Sequence, residues 1–294
     1  MANFLIKKNP SGKLMSLILI LAVTFILSTL ATASADNQNE ITGNDGAPMV
    51  IVHAGEFLMG STVRDADLRW EHPQHKVFLD DYYLDKHEVT VAQYRKFCEE
   101  TGRSMPSAPY WGWQDSHPMI KVSWDDATAY ANHYDKRLPT EAEWEKACRA
   151  GSTTKYSFGN SGTNLGDYAW YAANSNKQTH PVGTKKPNAL GIYDMHGNVW
   201  EWCSDWYNEN YYKNSPTNNP KGPSGGTGRV LRGGGWYSSV GYCRSAFRNW
   251  DPPSFRYVNY GFRCAWSLPG ATERILFEIL LVSHPGFTLF PVTP

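Results

Sequence analysis

The chain has no net charge: its 28 Lys and Arg residues are matched by 28 Asp and Glu. No basic stripe stands out, so nucleic acid is not an expected partner. There is no internal repeat, and no linker-like segment divides residues 46–267, so that stretch reads as one domain. Cysteine is scarce. The five are Cys98, Cys148, Cys203, Cys243 and Cys264, with neither a CxxC pair nor a Cys/His ligand spacing, which argues against structural zinc. Helical periodicity is also missing from 152 to 265, where Gly, Asn, Pro, Tyr and Trp dominate and argue against a simple bundle or sandwich.

Lys7, Lys8 and Lys13 precede an apolar run, Leu14 to Ala31, and Ala33-Ser34-Ala35 follows as a small-residue cleavage site. This predicts a secretory signal peptide over 1–35, with an uncleaved membrane anchor as the alternative. Its removal leaves a net charge of −3, because three lysines and no acid are lost. The expected location is exported: periplasmic, cell-envelope or secreted. Five cysteines in an oxidising compartment allow disulfides but leave at least one thiol over. Residues 36–46 read as a flexible polar segment, 47–267 as the domain, and 268–294 as an extension of unknown role.

Aromatic rings are plentiful, with 12 Trp and 17 Tyr. Strands are predicted at Met49–Val52, Gly55–Gly60 and Lys76–Asp85. Three helices have capping signals: Thr90-x-x-Gln93, Ser123-x-x-Asp126 and Thr140-x-x-Glu143. Gly102 is the expected stop of the first. Arg229–Arg232 is a short strand candidate.

The densest stretch runs from Gly191 to Tyr207. Within it lie three Trp, two Tyr, Asp194, Asn198, Glu201 and Asp205. Large rings want burial, while the carboxylates need partners once buried. The expectation is a buried, polar-lined loop. Either it is densely hydrogen-bonded without an ion, or Asp194, Glu201 and backbone carbonyls between them surround a hard cation such as calcium.

Five motifs in order, Gly55–Gly60, Arg137–Glu145, Gly197–Trp202, Arg232–Trp236 and Gly261–Arg263, resemble those of the formylglycine-generating enzyme, or sulfatase-modifying factor, family. The resemblance covers about 47–267. It implies a mixed α/β domain, distantly related to C-type lectins, with little regular secondary structure. It also implies structural Ca2+ held by Asp194, Glu201 and the carbonyls of Gly197 and Val199, and a second calcium site near 160–170, where Asp167 is the only side chain of note.

The family oxidase converts a peptidyl cysteine to formylglycine with oxygen and copper(I), the metal held by a Cys-x4-Cys pair. Two thiolates suit Cu(I), whereas a hydroxyl does not. Counted from Gly233-Gly234, the pair falls on Ser238 and Cys243, so it is incomplete. Counted back from Gly261-Phe262-Arg263, Cys243 instead lies near a structural cysteine whose disulfide partner corresponds to Cys148. A Cys148–Cys243 bridge would contribute about 2–4 kcal/mol. The three-histidine iron motif of other relatives is absent too. His196 reads as an ordinary histidine, and Arg244, Arg248 and Arg263 as hydrogen-bonding braces.

The leading reading is an exported domain of this type that does not form formylglycine. It would be a binding or maturation accessory that takes an exported protein or peptide in a surface groove, with a membrane involved only if the signal sequence stays. The alternatives are a copper- and oxygen-dependent oxidase, with Cys243 its one thiol to consider, and a different oxidoreductase or maturation enzyme on the same scaffold.

Overall fold

A computed structural model describes residues 39–62 and 69–268. The expected signal peptide and nearly all of the C-terminal extension lie outside those residues. The chain divides into two compact units, Met1–Ile41 and Thr42–Pro294, and every element below belongs to the second.

Three small sheets and three helices carry the fold. In the first sheet, Pro48–Val52 (β1) pairs antiparallel with Tyr82–Asp85, setting Val50 opposite Leu84. Ala265–Ser267 flanks Tyr82–Asp85 on the other side, also antiparallel. The second sheet is a hairpin of Gly55–Met59 (β2) and His75–Leu79 (β3), with Phe57 opposite Val77. We label Tyr82–Asp85 β4. The stretch Lys76–Asp85, expected as one strand, is thus two. They part at Asp80 and Asp81, where the Asp80 amide donates to Asn219 Oδ1 and Asp81 Oδ1 accepts from the Ala54 amide.

All three capping signals are realised as reciprocal boxes. Thr90 starts α1 (Val91–Thr101), Ser123 starts α2 (Trp124–His133) and Thr140 starts α3 (Glu141–Arg149). Each such cap is worth about 1 kcal/mol, because it satisfies helix N–H groups that have no partner within the helix. Gly102 ends α1 in the left-handed region, with φ of 71°. Helix α1 packs on α2 through rings, Tyr94 stacking 5.9 Å from Tyr130 with Phe97 set edge-on to Tyr130. These helices form one core with Trp202, Leu231 and Phe262. Helix α3 builds a second, where Trp144, Ala147 and Cys148 meet Met195, Cys203 and Val230.

The third sheet departs most from expectation. Trp200–Trp206, inside the stretch read as a loop, is a strand (β5). It lies between Arg229–Arg232 (β6), antiparallel, and the two-residue strand Tyr260–Gly261 (β8), parallel. Asn249–Asp251 (β7) closes the far side of β6. With neighbours on both edges and packing on both faces, β5 shows no alternation of polar and apolar residues. Only 191–199 is loop, with Asp194 and Asn198 at positive φ. Ala265–Ser267 is β9.

Candidate functional site

Within the acid-rich stretch, Glu201 is fully buried on β5. Arg263 grips its carboxylate with both arms of the guanidinium, Nε to Oε2 at 2.7 Å and Nη2 to Oε1 at 2.8 Å. Trp144 Nε1 donates to Oε2 as well, at 2.8 Å. Its oxygens are therefore engaged by protein donors. Asp194 accepts from the Gly183 amide at 2.7 Å through Oδ2, while Oδ1 is buried without a partner. Burial, reinforced by Glu201, pushes the Asp194 carboxyl up to about 6, so it can shed its charge by taking a proton. Gly197 packs so closely that a Cβ there would meet the Trp170 carbonyl at 2.4 Å. The Val199 amide donates to a third acid, Glu88, at 3.1 Å.

Sequence reading missed Glu88. It is buried, accepts from Asn198 Nδ2 at 2.8 Å, and is held well above the usual carboxylate range by burial first and then by Asp194 and Glu201. Its only trace in the sequence is an acid standing between His87 and Val89, just before a helix cap.

These contacts correct the calcium expectation. Among the described residues no group of three or more His, Cys, Asp or Glu is arranged to hold a metal ion. At the proposed shell of Asp194, Gly197, Val199 and Glu201, the Arg263 guanidinium supplies the positive charge assigned to Ca2+. Asp167, suggested for a second calcium site, is exposed and pairs with Lys186 at 2.9 Å. Protein donors, from Arg263, Trp144, Asn198 and the Val199 amide, meet the buried acids Glu201 and Glu88 instead.

The Cys148–Cys243 disulfide is also corrected: all five cysteines are free thiols, and all are buried. Cys148 and Cys243 are each pushed up to about 12 by burial. His196 fills the space between Cys148 and the Cys243 backbone. Its Nδ1 donates to the Cys243 carbonyl at 2.8 Å, and its ring lies 3.9 Å from Cys148 Sγ. Its Nε2 accepts from the hydroxyl and amide of Ser157, at 2.9 and 3.1 Å. Burial lowers its pKa to about 4, so the ring stays neutral in this role.

The position matching the first copper-binding cysteine is Ser238, buried in the turn after β6. Its hydroxyl accepts from the Gly235 amide at 2.9 Å, and its carbonyl from the Ala172 amide at 3.0 Å. Gly234, at φ of 77°, leaves only enough room for Cys243 Sγ, which a Cβ would meet at 2.9 Å. A hydroxyl committed to its own turn, beside one thiol held protonated, is not a soft ligand pair, and Cu(I) does not fit this donor set.

The arginines predicted as braces have dense contacts. Arg248 holds Glu141 through Nε at 2.7 Å and Nη2 at 2.8 Å, and Arg244 holds Glu71 in the same two-armed way. Arg232, for which no such role was expected, reaches Glu145 at 2.6 Å and the Ser245 carbonyl at 2.6 Å. Asp205, on β5, caps α3 by accepting from the Glu141 amide at 2.9 Å.

Outside this packed interior the same loop carries rings to the surface. Trp236 lies 5.6 Å from both Trp111 and Tyr237, and Trp111 is 4.7 Å from Tyr110. The indole of Trp236 donates to the Val258 carbonyl at 3.0 Å, which brings Tyr257 and Val258 to the same face. Tyr110 is 78% exposed and Tyr237 69%, high values for large rings. Ser238 lies directly behind this face in sequence.

A family model described as sulfatase-modifying factor enzyme 1-like domain matches residues 34–268. The formylglycine-generating enzyme of Streptomyces coelicolor is 35% identical over 271 residues, covering 72% of this chain and 86% of that protein. Among solved structures, PvdO from Pseudomonas aeruginosa superposes with a TM-score of 0.70 at 28% identity, covering 76% of this chain and 95% of that one. Treponema denticola variable protein 1 does so at 0.65 and 30%, covering 75% and 95%. The chain belongs to the sulfatase-modifying factor family, as a divergent member without the paired catalytic cysteines.

Proposed function

We propose that this member of the sulfatase-modifying factor family is an exported accessory that binds an exported protein or peptide and does not itself form formylglycine. Ser238 carries the reading. Where the oxidase needs a thiolate, this chain has a buried hydroxyl accepting a hydrogen bond from Gly235, and the remaining thiol, Cys243, is held protonated. Export is supported by the charged, apolar and small-residue order of Lys7 to Ala35. The contact face is the aromatic shelf of Tyr110, Trp111, Trp236 and Tyr237. Of these, Tyr110 and Tyr237 are the exposed rings, set over the half-buried Trp111 and the buried Trp236, and exposed rings supply large contact area at low entropic cost, as at protein-binding surfaces generally.

The reading is tested by incubating the purified chain with Cu(I), air and a cysteine peptide of the kind the family oxidase modifies. Mass spectrometry should find the thiol peptide intact. Copper-dependent aldehyde that disappears in Cys243→Ser would overturn the proposal and restore the oxidase. A photo-crosslinker at Tyr237 in the native envelope should yield one defined protein adduct, and its absence would count against a binding role for this face.

A further inference from the structure

Arginine is used consistently in this fold, with one exception. Arg95, Arg103, Arg137, Arg149, Arg232 and Arg244 each have a carboxylate within 4 Å, as do Arg248, Arg256 and Arg263. Among arginines whose side chains are described, only Arg229 has none. Its guanidinium instead lies between two indoles, 3.8 Å from the ring centre of Trp124 and 3.6 Å from that of Trp206. Nη1 donates to the Ser204 carbonyl at 2.7 Å, and Nε is buried without a partner.

Arg229 also lines a groove of about 670 Å³, within the size range of ligand sites generally. Apolar Leu79, Leu138, Pro220 and Leu268 share its wall with Asn132 and Lys221. The acids of the wall already have protein partners. Glu143 is held by both arms of Arg137, Asp81 accepts from the Ala54 amide, and Asp80 accepts from Asn219 Nδ2. Lys221 is exposed and, like Arg229, without an acid partner among the described residues. What the groove offers to a ligand is positive charge in an apolar setting. No groove residue lies in the 233–248 turn or on the aromatic shelf.

We propose that this groove is a second binding site, which takes a peptide segment by docking an acidic side chain on Arg229. The two indoles hold the guanidinium in place, so pairing with a carboxylate orders little that was mobile. The leucines and Pro220 then accept apolar neighbours of the acid. A saccharide is the poorer occupant: it would need an open aromatic face, and the groove's one indole, Trp124, has a face covered by Arg229. Burial, partly offset by Asp205 and Asp125, disfavours the guanidinium charge, which an arriving carboxylate would relieve.

The test is isothermal titration of the full exported chain with a capped pentapeptide, leucine-rich with a central glutamate, and with its glutamine counterpart. The glutamate peptide should bind about tenfold more tightly, the usual gain of a charge-assisted forked contact. Glutarate should displace it from the wild-type protein. Arg229→Lys keeps the charge but loses the fork and should weaken binding about tenfold, and Lys221→Gln about twofold. Equal affinity for the two peptides would overturn the proposal, as would no binding at millimolar peptide or an Arg229→Lys protein that binds like wild type. A uronate disaccharide that binds where the peptide does not would overturn the peptide assignment. Should the Arg229 variant fail to fold, the Glu/Gln contrast and glutarate competition on the wild-type protein decide. Crosslinking at Tyr237 is a separate readout, so failure here is distinguishable from failure of the accessory reading.

Discussion

Two regions of this molecule treat their polar and aromatic groups in opposite ways. Under α3, Glu141, Glu145 and Glu201 are buried, and Arg248, Arg149, Arg232 and Arg263 meet them at 2.6–2.8 Å. On the shelf of Tyr110, Trp111, Trp236 and Tyr237, the outermost rings, Tyr110 and Tyr237, stand in solvent. In the first region the fold gives each of these charged side chains an opposite partner, including Glu201, which sequence motifs would nominate for metal. Family motifs concentrate in the region that stability already explains, so they identify the scaffold, whereas the exposed rings are where the proposed partner contact is placed.

The comparison is tested most severely at the ion pairs. Arg263→Ala leaves Glu201 buried with only the Trp144 bond, and breaking such a pair from one side costs about 3–5 kcal/mol. Urea unfolding should show the midpoint falling accordingly. A loss below about 1 kcal/mol would mean that Glu201 is neutralised by something other than Arg263.

A pH experiment addresses the same interior. Asp205 is pushed up to about 7 by burial, with Glu141 adding to the shift. Well below pH ~4 folded and unfolded chains both hold this proton, and the group has no effect on stability. As pH rises from there towards 7, the unfolded chain releases the proton while the folded one keeps it. Stability therefore falls through that window, by on the order of 4 kcal/mol from this group, and levels off above it. Asp85, raised to about 6 mainly by burial, acts with the same sign. Asp205→Asn should make the decline shallower without abolishing it, and an unchanged slope would remove Asp205 from the account.

Between the two regions lies the glycine turn. Gly234→Ala places a methyl carbon 2.9 Å from Cys243 Sγ at a φ of 77°. The expected cost is about 1–3 kcal/mol, from left-handed backbone strain together with the clash. Calorimetric melting reads it. A melt unchanged from wild type would show that the turn can shift, and that Ser238 is not as fixed as its hydrogen bonds imply.

How much of this was legible beforehand depends on the range of the forces involved. The helix starts were, because Thr90, Ser123 and Thr140 each bond a residue three places on, and such reciprocity is written locally. The family motifs made the fold legible in the same way. Strand β5 was not: Trp200–Trp206 has no two-residue alternation because both its faces are packed, and the strands that pair with it, Arg229–Arg232 and Tyr260–Gly261, come from distant sequence. The calcium expectation failed for a related reason. The acids were visible within one stretch, but the guanidinium that meets Glu201 is 62 residues away. His196 in place of a disulfide also lies beyond local reading, since its three partners come from residues near 148, 157 and 243. Arg229 stood in the sequence only as the start of a short strand, because the absence of an acid beside it is set by residues distant in the chain.

The smallest effect on stability is expected where the proposed function places the largest effect on binding. Tyr237 is 69% exposed and touches its neighbourhood through the edge of Trp236 alone among the ring contacts. Tyr237→Ala therefore removes little buried surface, and its unfolding free energy should stay within about 0.5 kcal/mol of wild type, as for most surface substitutions. An exposed ring at the centre of a contact face can still carry about 2 kcal/mol of binding once a partner desolvates it, a loss of roughly thirtyfold in affinity. Tyr110→Ala supplies a second ring on the same shelf and should act in the same direction. Chemical denaturation and partner affinity measured on the same two variants separate the possibilities. Lost affinity at unchanged stability places the function on the shelf. Lost stability would make these tyrosines part of the scaffold after all, and the contrast between the two regions would fail at its most exposed point.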